Sequence, residues 1–174
     1  MKQFIDPFDY AKEILQAVKS GVLITAKANG RVNPMTISWG TMGVEWGKKI
    51  FITFVRGSRF TSELLEKNPE FTVNIPLEDV DKNILKVCGT QSGRDIDKVR
   101  DLCLTLENPV DISVPGIKEL PLTLECRVVY SQQQIPQQVL DDHLFTHYPE
   151  NTTDIHADYH TAFYGEIVSA YIIK

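Results

Sequence analysis

The chain has 174 residues, 43% of them hydrophobic and 24% charged, which is ordinary for a globular protein and enough for one domain with a substantial core. A formal charge of −5 argues against a nucleic-acid partner, which needs a basic surface, and no apolar run approaches the ~20 residues of a membrane-spanning helix. The first fifteen residues hold no signal-peptide apolar block, and three cysteines, an odd number with no CxxC pair and apolar neighbours, fit reduced, mostly buried thiols in a cytoplasmic protein.

Taken in chain order, the first predicted element is a helix. Asp6 can cap it, Pro7 suits its first turn, and Phe8, Ala11, Ile14, Leu15 and Val18 form one apolar stripe that Gly21 ends. Strands over 22–28 and 31–38 flank Asn29-Gly30, a strong two-residue hairpin signal. Within the second strand Thr36 and Ser38 alternate with Met35 and Ile37, so hydroxyls line one face and apolar groups the other, before a Trp39-Gly40 stop. A strand over 49–55 follows, then a short helix over 58–67 stopped by Asn68-Pro69, then a strand over 71–75 ended by Pro76.

Residues 79–88 read as a helix with Ile84, Leu85 and Cys88 inward, closed by Gly89. A polar loop over 90–94 leads to a short helix that starts at Asp95 or Asp97 and runs to Leu102. The stretch 105–120 is irregular. Long strands over 122–131 and 162–173 enclose a helix over 137–145 and a polar loop over 149–160. Six or more strands with short interrupting helices and no alternating βα pattern predict a mostly β fold, a closed or nearly closed antiparallel barrel with peripheral helices and Greek-key-like connections.

Three segments carry chemistry. In RGSRFT (56–61), Ser58 can cap the following helix, whose N-terminus favours anions, while Arg56 or Arg59 adds a bidentate donor and Thr61 a hydroxyl. In NPMTISWG (33–40), the strand backbone can hydrogen-bond a ring that Trp39 covers. In CGTQSGRDIDK (88–98), Ser92, Gly93 and Arg94 form a turn, and Lys98 supplies a cation for a phosphate or an anionic ring. Alone, each also fits a plain helix cap, a core tryptophan or a turn with a surface lysine.

Together with FTVNIP (71–76) and HTAFYGEIV (160–168), these segments in this order resemble the flavin reductase-like proteins of the FMN-binding split-barrel fold, in particular the flavoredoxin-like branch. The likeness covers most of residues 20–168. It implies one FMN-binding domain over 1–174, a split barrel that pairs as a homodimer and holds non-covalent FMN at the interface. By that resemblance Asn33, Met35, Thr36, Ile37, Ser38 and Trp39 lie along the flavin. Ser58, Arg59 and Thr61 hold its phosphate, and Asn74, Ser92 and Lys98 contact the ring or ribityl chain. His160 corresponds to a histidine near the nicotinamide site, which makes it the catalytic candidate. The implied activity is NAD(P)H-dependent reduction of free flavin, ferric complexes or a protein electron-transfer partner. A non-enzymatic FMN electron carrier is the alternative. The insertion-like segment 132–159 departs from the shorter reductases.

A third reading is a metal- or ligand-binding barrel without flavin. His143 and His147 are spaced i, i+4, as are His156 and His160, with Asp142, Asp154 and Asp158 nearby. No cysteine is placed to help, and 149–160 reads as loop, so the expectation is no metal. Rossmann, P-loop and hydrolase-elbow motifs do not occur.

Overall fold

The computed structural model describes residues 1–148 and 158–174. Strand β1 (Lys2–Phe4) and a 3₁₀ turn (Pro7–Tyr10) precede helix α1 (Ala11–Ser20). Asp6 accepts a hydrogen bond from the Phe8 amide, so it caps the 3₁₀ turn rather than the α-helix. Of the predicted stripe, Ile14 and Val18 reach the main core, whereas Phe8 and Leu15 stay exposed. Gly21 stops α1 at φ 117°, a value that disfavours any side chain.

Strands β2 (Val22–Ala28) and β3 (Arg31–Ile37) form the expected hairpin, with Asn29 at φ 49° and Gly30 at φ 77°. Trp39-Gly40 does not end the sheet. The chain turns there into β4 (Gly40–Glu45), which pairs with β5 (Lys48–Arg56) through a second tight turn at Trp46 and Gly47, both at positive φ. That hairpin hid in the sequence because Gly40 and Gly43 interrupt the strand pattern.

Next come α2 (Phe60–Lys67), β6 (Glu70–Ile75), α3 (Lys82–Thr90) and α4 (Lys98–Asp101). The short ribbon β7 (Leu106–Glu107) and β8 (Gly116–Ile117) lies in the irregular stretch. Strand β9 (Leu122–Gln133), α5 (Asp141–His147) and β10 (His160–Ile173) complete the order. Asp97, not Asp95, caps α4 by accepting from the Arg100 amide. Buried Glu125 accepts from the amides of Val110 and Asp111 and from the Tyr171 hydroxyl, which ties the irregular stretch to the sheet.

One antiparallel sheet runs β3-β2-β6-β9-β10-β5-β4, with β1 added on β10. Its two edges, β3 and β4, are joined by Ser38 and Trp39 alone. A sheet whose edges lie two residues apart along the chain must roll up, which makes this a barrel with a split where β3 and β4 part. Alternation sorts the side chains. Val22, Ile24 and Ala26 enter the barrel core with Met35, Ile37, Phe71 and Val73, while Leu23 faces a second cluster with Ile84 and Cys88 of α3. Each fully buried aliphatic side chain such as Ile14 stabilises the fold by roughly 1.5–3 kcal/mol. A Cβ on Gly165 would lie 2.5 Å from Phe71 Cζ, so β10 crosses the core there only as glycine.

Two thiols follow expectation and one does not. Cys88 and Cys126 are buried, and burial pushes the Cys88 thiol up to about 11. Cys103 is exposed, in a turn at φ 53°. No helix among the described residues is long and apolar enough to cross a membrane.

Candidate functional site

A cleft of about 300 Å³ opens at the split. That volume is at the small end of the ~300–1,000 Å³ typical of ligand sites. The end of β3 with its Ser38-Trp39 link forms one wall, and the 56–61 loop with the start of α2 forms another. The 88–94 segment, Lys98 and His160 close the remainder. Twelve of the thirteen residues named from the sequence line it: Asn33, Met35, Thr36, Ile37, Ser38 and Trp39; Ser58, Arg59 and Thr61; Ser92, Lys98 and His160.

Asn74 is the exception. It is fully buried, with Nδ2 donating to Thr25 Oγ1 and Thr72 Oγ1 and Oδ1 accepting from the Ile117 amide. In the β6 register it stands opposite Leu23, on the face turned to the outer cluster and β8. All of its amide groups are used in holding that layer, so it is a structural residue and not a ligand contact.

Several lining residues also differ in role from expectation. Ser58 does not cap α2. Its amide donates to Asp158 Oδ1 at 2.8 Å and its hydroxyl to Asp158 Oδ2 at 2.7 Å, and α2 begins two residues later with no side-chain cap at Arg59. The Thr61 hydroxyl accepts from Asn33 Nδ2 at 2.9 Å and donates to Met35 Sδ at 3.3 Å. The Thr36 hydroxyl donates to Leu85 O at 2.7 Å and thereby pins α3 to β3. These hydroxyls shape the cleft, and their protons are already committed.

What remains for a ligand is charge and one orphaned acceptor. Arg56, Arg59, Arg94 and Lys98 line the cleft, and no carboxylate does so among the described residues. This contrasts with the chain's net charge of −5. Arg56 is partly occupied, 3.9 Å from Asp158 and donating to His147 O. Arg94 donates to Ser58 O and Glu63. The Arg59 amide donates to Arg56 O and its carbonyl accepts from the Ser62 amide, but its guanidinium has no hydrogen bond or ion pair to any described residue. Lys98 is 3% exposed, and its ammonium donates only to the carbonyls of Pro34 and Cys88. Burial, and less strongly the nearby Arg59, hold its pKa below the usual lysine range, while Cys88 acts in the opposite sense. Asn33 Oδ1 is buried without a partner and sits against Gly93, where a Cβ would come within 1.9 Å of it. Buried acceptors are almost always paired, so this one awaits a donor.

The apolar share comes from Met35, Ile37, Trp39, Phe54 and Phe60. Phe54 and Phe60 were not singled out from the sequence, since a strand and a helix start each carry such residues for packing. Phe60 lies between the guanidinium groups of Arg31 and Arg94, 5.4 and 5.5 Å from its ring centre. Trp39 is 40% exposed, and its ring centre lies 4.8 Å from that of His160. Burial, then Arg56, hold the His160 pKa down to about 4, so its imidazole is neutral at pH 7. An anion with an aromatic body and a hydrogen-bond donor fits this set, and FMN has all three attributes.

The metal alternative finds no group of three or more ligands among the described residues. His156 and Asp154 lie outside them, while His143 and His147 stack face to face on α5.

Comparison with known proteins gives the family. The family model for the flavin reductase like domain matches residues 16–174. An uncharacterized protein of Archaeoglobus fulgidus is 35% identical over 97 residues, 56% of this chain and 54% of that protein. The match thus spans about half the length of that relative. Among solved structures, the flavoredoxin from Methanosarcina acetivorans superposes with TM-score 0.65 at 26% identity, over 88% of this chain and 68% of that one. The nitrilotriacetate monooxygenase component B from Bacillus cereus shares the fold at TM-score 0.67 and 17% identity, over 99% and 82% of the two chains.

Proposed function

The chain belongs to the flavin reductase-like family, and on that footing we propose that it binds FMN in the cleft and uses it to move electrons from NAD(P)H to free flavin, a ferric complex or a protein partner. The observation that carries this reading is a cleft lined by four cations and, among the described residues, by no carboxylate, built around a buried unpaired acceptor. When bound, the flavin supplies the hydride and electron chemistry. Arg59 supplies a free guanidinium fork to the phosphate. Lys98 offers its remaining N–H, with positive charge, to an electron-rich part of the ligand. Asn33 Oδ1 accepts from a ring N–H or ribityl O–H. Trp39 and Phe60 shield apolar surface from water. His160, neutral and at the rim beside Trp39, faces the nucleotide substrate.

We also assign the active species as a homodimer. Support comes from the uncovered apolar face of the β4–β5 and β9–β10 strands, where Val44, Trp46, Val129 and Tyr130 are exposed. The free thiols fit the reducing cytoplasm. A second reading, a carrier that exchanges electrons with proteins and does not take hydride, is favoured by the likeness to a flavoredoxin.

The experiment is anaerobic spectroscopy of protein reconstituted with FMN. Two visible bands that bleach with NADH or NADPH support the reductase. Bands that bleach with dithionite but with neither nucleotide leave the carrier. Absence of bound flavin at micromolar concentration removes both readings.

A further inference from the structure

A polar chain runs behind His160 and has no counterpart in the motifs of the sequence. The Tyr148 hydroxyl, at the C-terminal end of α5, lies 2.6 Å from His160 Nδ1 and 2.6 Å from Gln134 Oε1. Gln134 is held next to His160 in turn, because its amide donates to the His160 carbonyl at 2.9 Å. Tyr148 is 4% exposed and His160 8%, so water does not compete for these contacts.

The proton count fixes the direction. A tyrosine hydroxyl has one proton, and an amide oxygen only accepts. Tyr148 therefore donates to Gln134 Oε1 and meets Nδ1 with its lone pair. Nδ1 must then carry the imidazole proton. We propose that Gln134 and Tyr148 are positioning residues that lock His160 in its Nδ1–H tautomer, so that bare Nε2 presents a hydrogen-bond acceptor to the cleft and selects a substrate that carries an N–H donor. Nε2 has no partner among the described residues, and the ring lines the cleft beside Trp39. The neutral state at pH 7 agrees, since an imidazolium would have no acceptor to offer. Under the proposed use of NAD(P)H, on which this last step rests, the donor is the amino group of the nicotinamide carboxamide.

The tautomer is tested without cofactor or nucleotide. Protein labelled with ¹⁵N at histidine is examined at pH 7 by long-range ¹H–¹⁵N correlation, and His160 is identified by the signals lost in His160→Gln. The expected pattern is a protonated Nδ1 and a pyridine-type Nε2. The reversed pattern, in which Gln134 turns its NH₂ toward Tyr148, or an average of the two tautomers, overturns the proposal. Gln134→Glu keeps an acceptor and should keep the pattern. Tyr148→Phe should release it to averaging, with the rest of the spectrum reporting that the fold persists.

Substrate selection is read from flavin reduction by NAD(P)H against its 3-acetylpyridine analogue, which lacks the N–H donor. The parent's preference for the carboxamide should shrink roughly 5- to 10-fold in Tyr148→Phe, the scale of one neutral hydrogen bond. An unchanged preference overturns the selection step. Failure of both nucleotides to reduce flavin removes the NAD(P)H reading, while the tautomer result still decides the relay.

Discussion

Arg59→Ala isolates cofactor binding from folding more cleanly than any other change in the cleft. The other guanidinium groups already have partners: Arg56 with Asp158 and His147 O, and Arg94 with Glu63 and Ser58 O. Truncating either would loosen the loop as well as the ligand. Arg59 is exposed, and its guanidinium has no hydrogen bond or ion pair to any described residue. Its removal should leave the stability of the flavin-free protein within about 0.5 kcal/mol of the parent. Charged hydrogen bonds contribute about 1.5–3 kcal/mol each, so FMN affinity should fall roughly 10- to 150-fold. Riboflavin, which lacks the phosphate, should lose almost nothing. Arg59→Lys keeps the charge but not the fork and should fall between parent and alanine. Flavin fluorescence quenching gives the constants, and urea unfolding of the flavin-free protein gives the stability. A loss of FMN affinity below about threefold, or an equal loss for riboflavin, would refute the assignment of Arg59 to the phosphate.

Other outcomes follow from the same geometry. Gly93→Ala should destabilise the protein by about 1–3 kcal/mol in chemical unfolding and weaken FMN, because the new Cβ would meet Asn33 Oδ1 at 1.9 Å and Phe60 Cδ1 at 3.0 Å. Ser58→Ala should change FMN affinity far less than Arg59→Ala, since the Ser58 hydroxyl and amide are engaged with Asp158. His160 adds a pH dependence with a definite sign. Its folded pKa of about 4 lies below the ordinary histidine value of 6.5, so the unfolded chain binds the extra proton between those values. Stability is lost as pH falls through that window, by up to ~3 kcal/mol, and His160→Gln should flatten this part of the unfolding profile relative to the parent. Arg56, Arg59 and His147 push in the same direction as burial, and Asp158 opposes them. Light scattering at micromolar concentration should give twice the chain mass of 19.7 kDa, and a monomer there would remove the homodimer.

The parts of this molecule that were legible from sequence are those whose signal is local. Asn29-Gly30 marks a hairpin because two consecutive residues must adopt positive φ, and the alternation of Met35 and Ile37 with Thr36 places two side chains in the core and one against α3. Twelve residues could be brought to one cleft because they sit in short runs, each of which carries its own pattern. The misses are matters of partner and register. Residue type identified Ser58 and Thr61 as hydroxyls near an anion, but whether a hydroxyl is free depends on what folds against it, here Asp158 a hundred residues away and Asn33 on the neighbouring strand. Asn74 was misplaced because the face it takes on β6 is set by pairing with β2 and β9, which no run of its own residues encodes.

Tyr148 and Gln134 are the limiting case. They are ordinary residues of the 132–159 segment, and only the meeting of β9, α5 and β10 brings them to His160. A residue that positions another side chain need only satisfy geometry, and many side chains can do that. The walls that the sequence marks are those built from the short motif-bearing runs. The corner where Trp39 packs on His147 and His160 is shaped instead by residues that no motif marks.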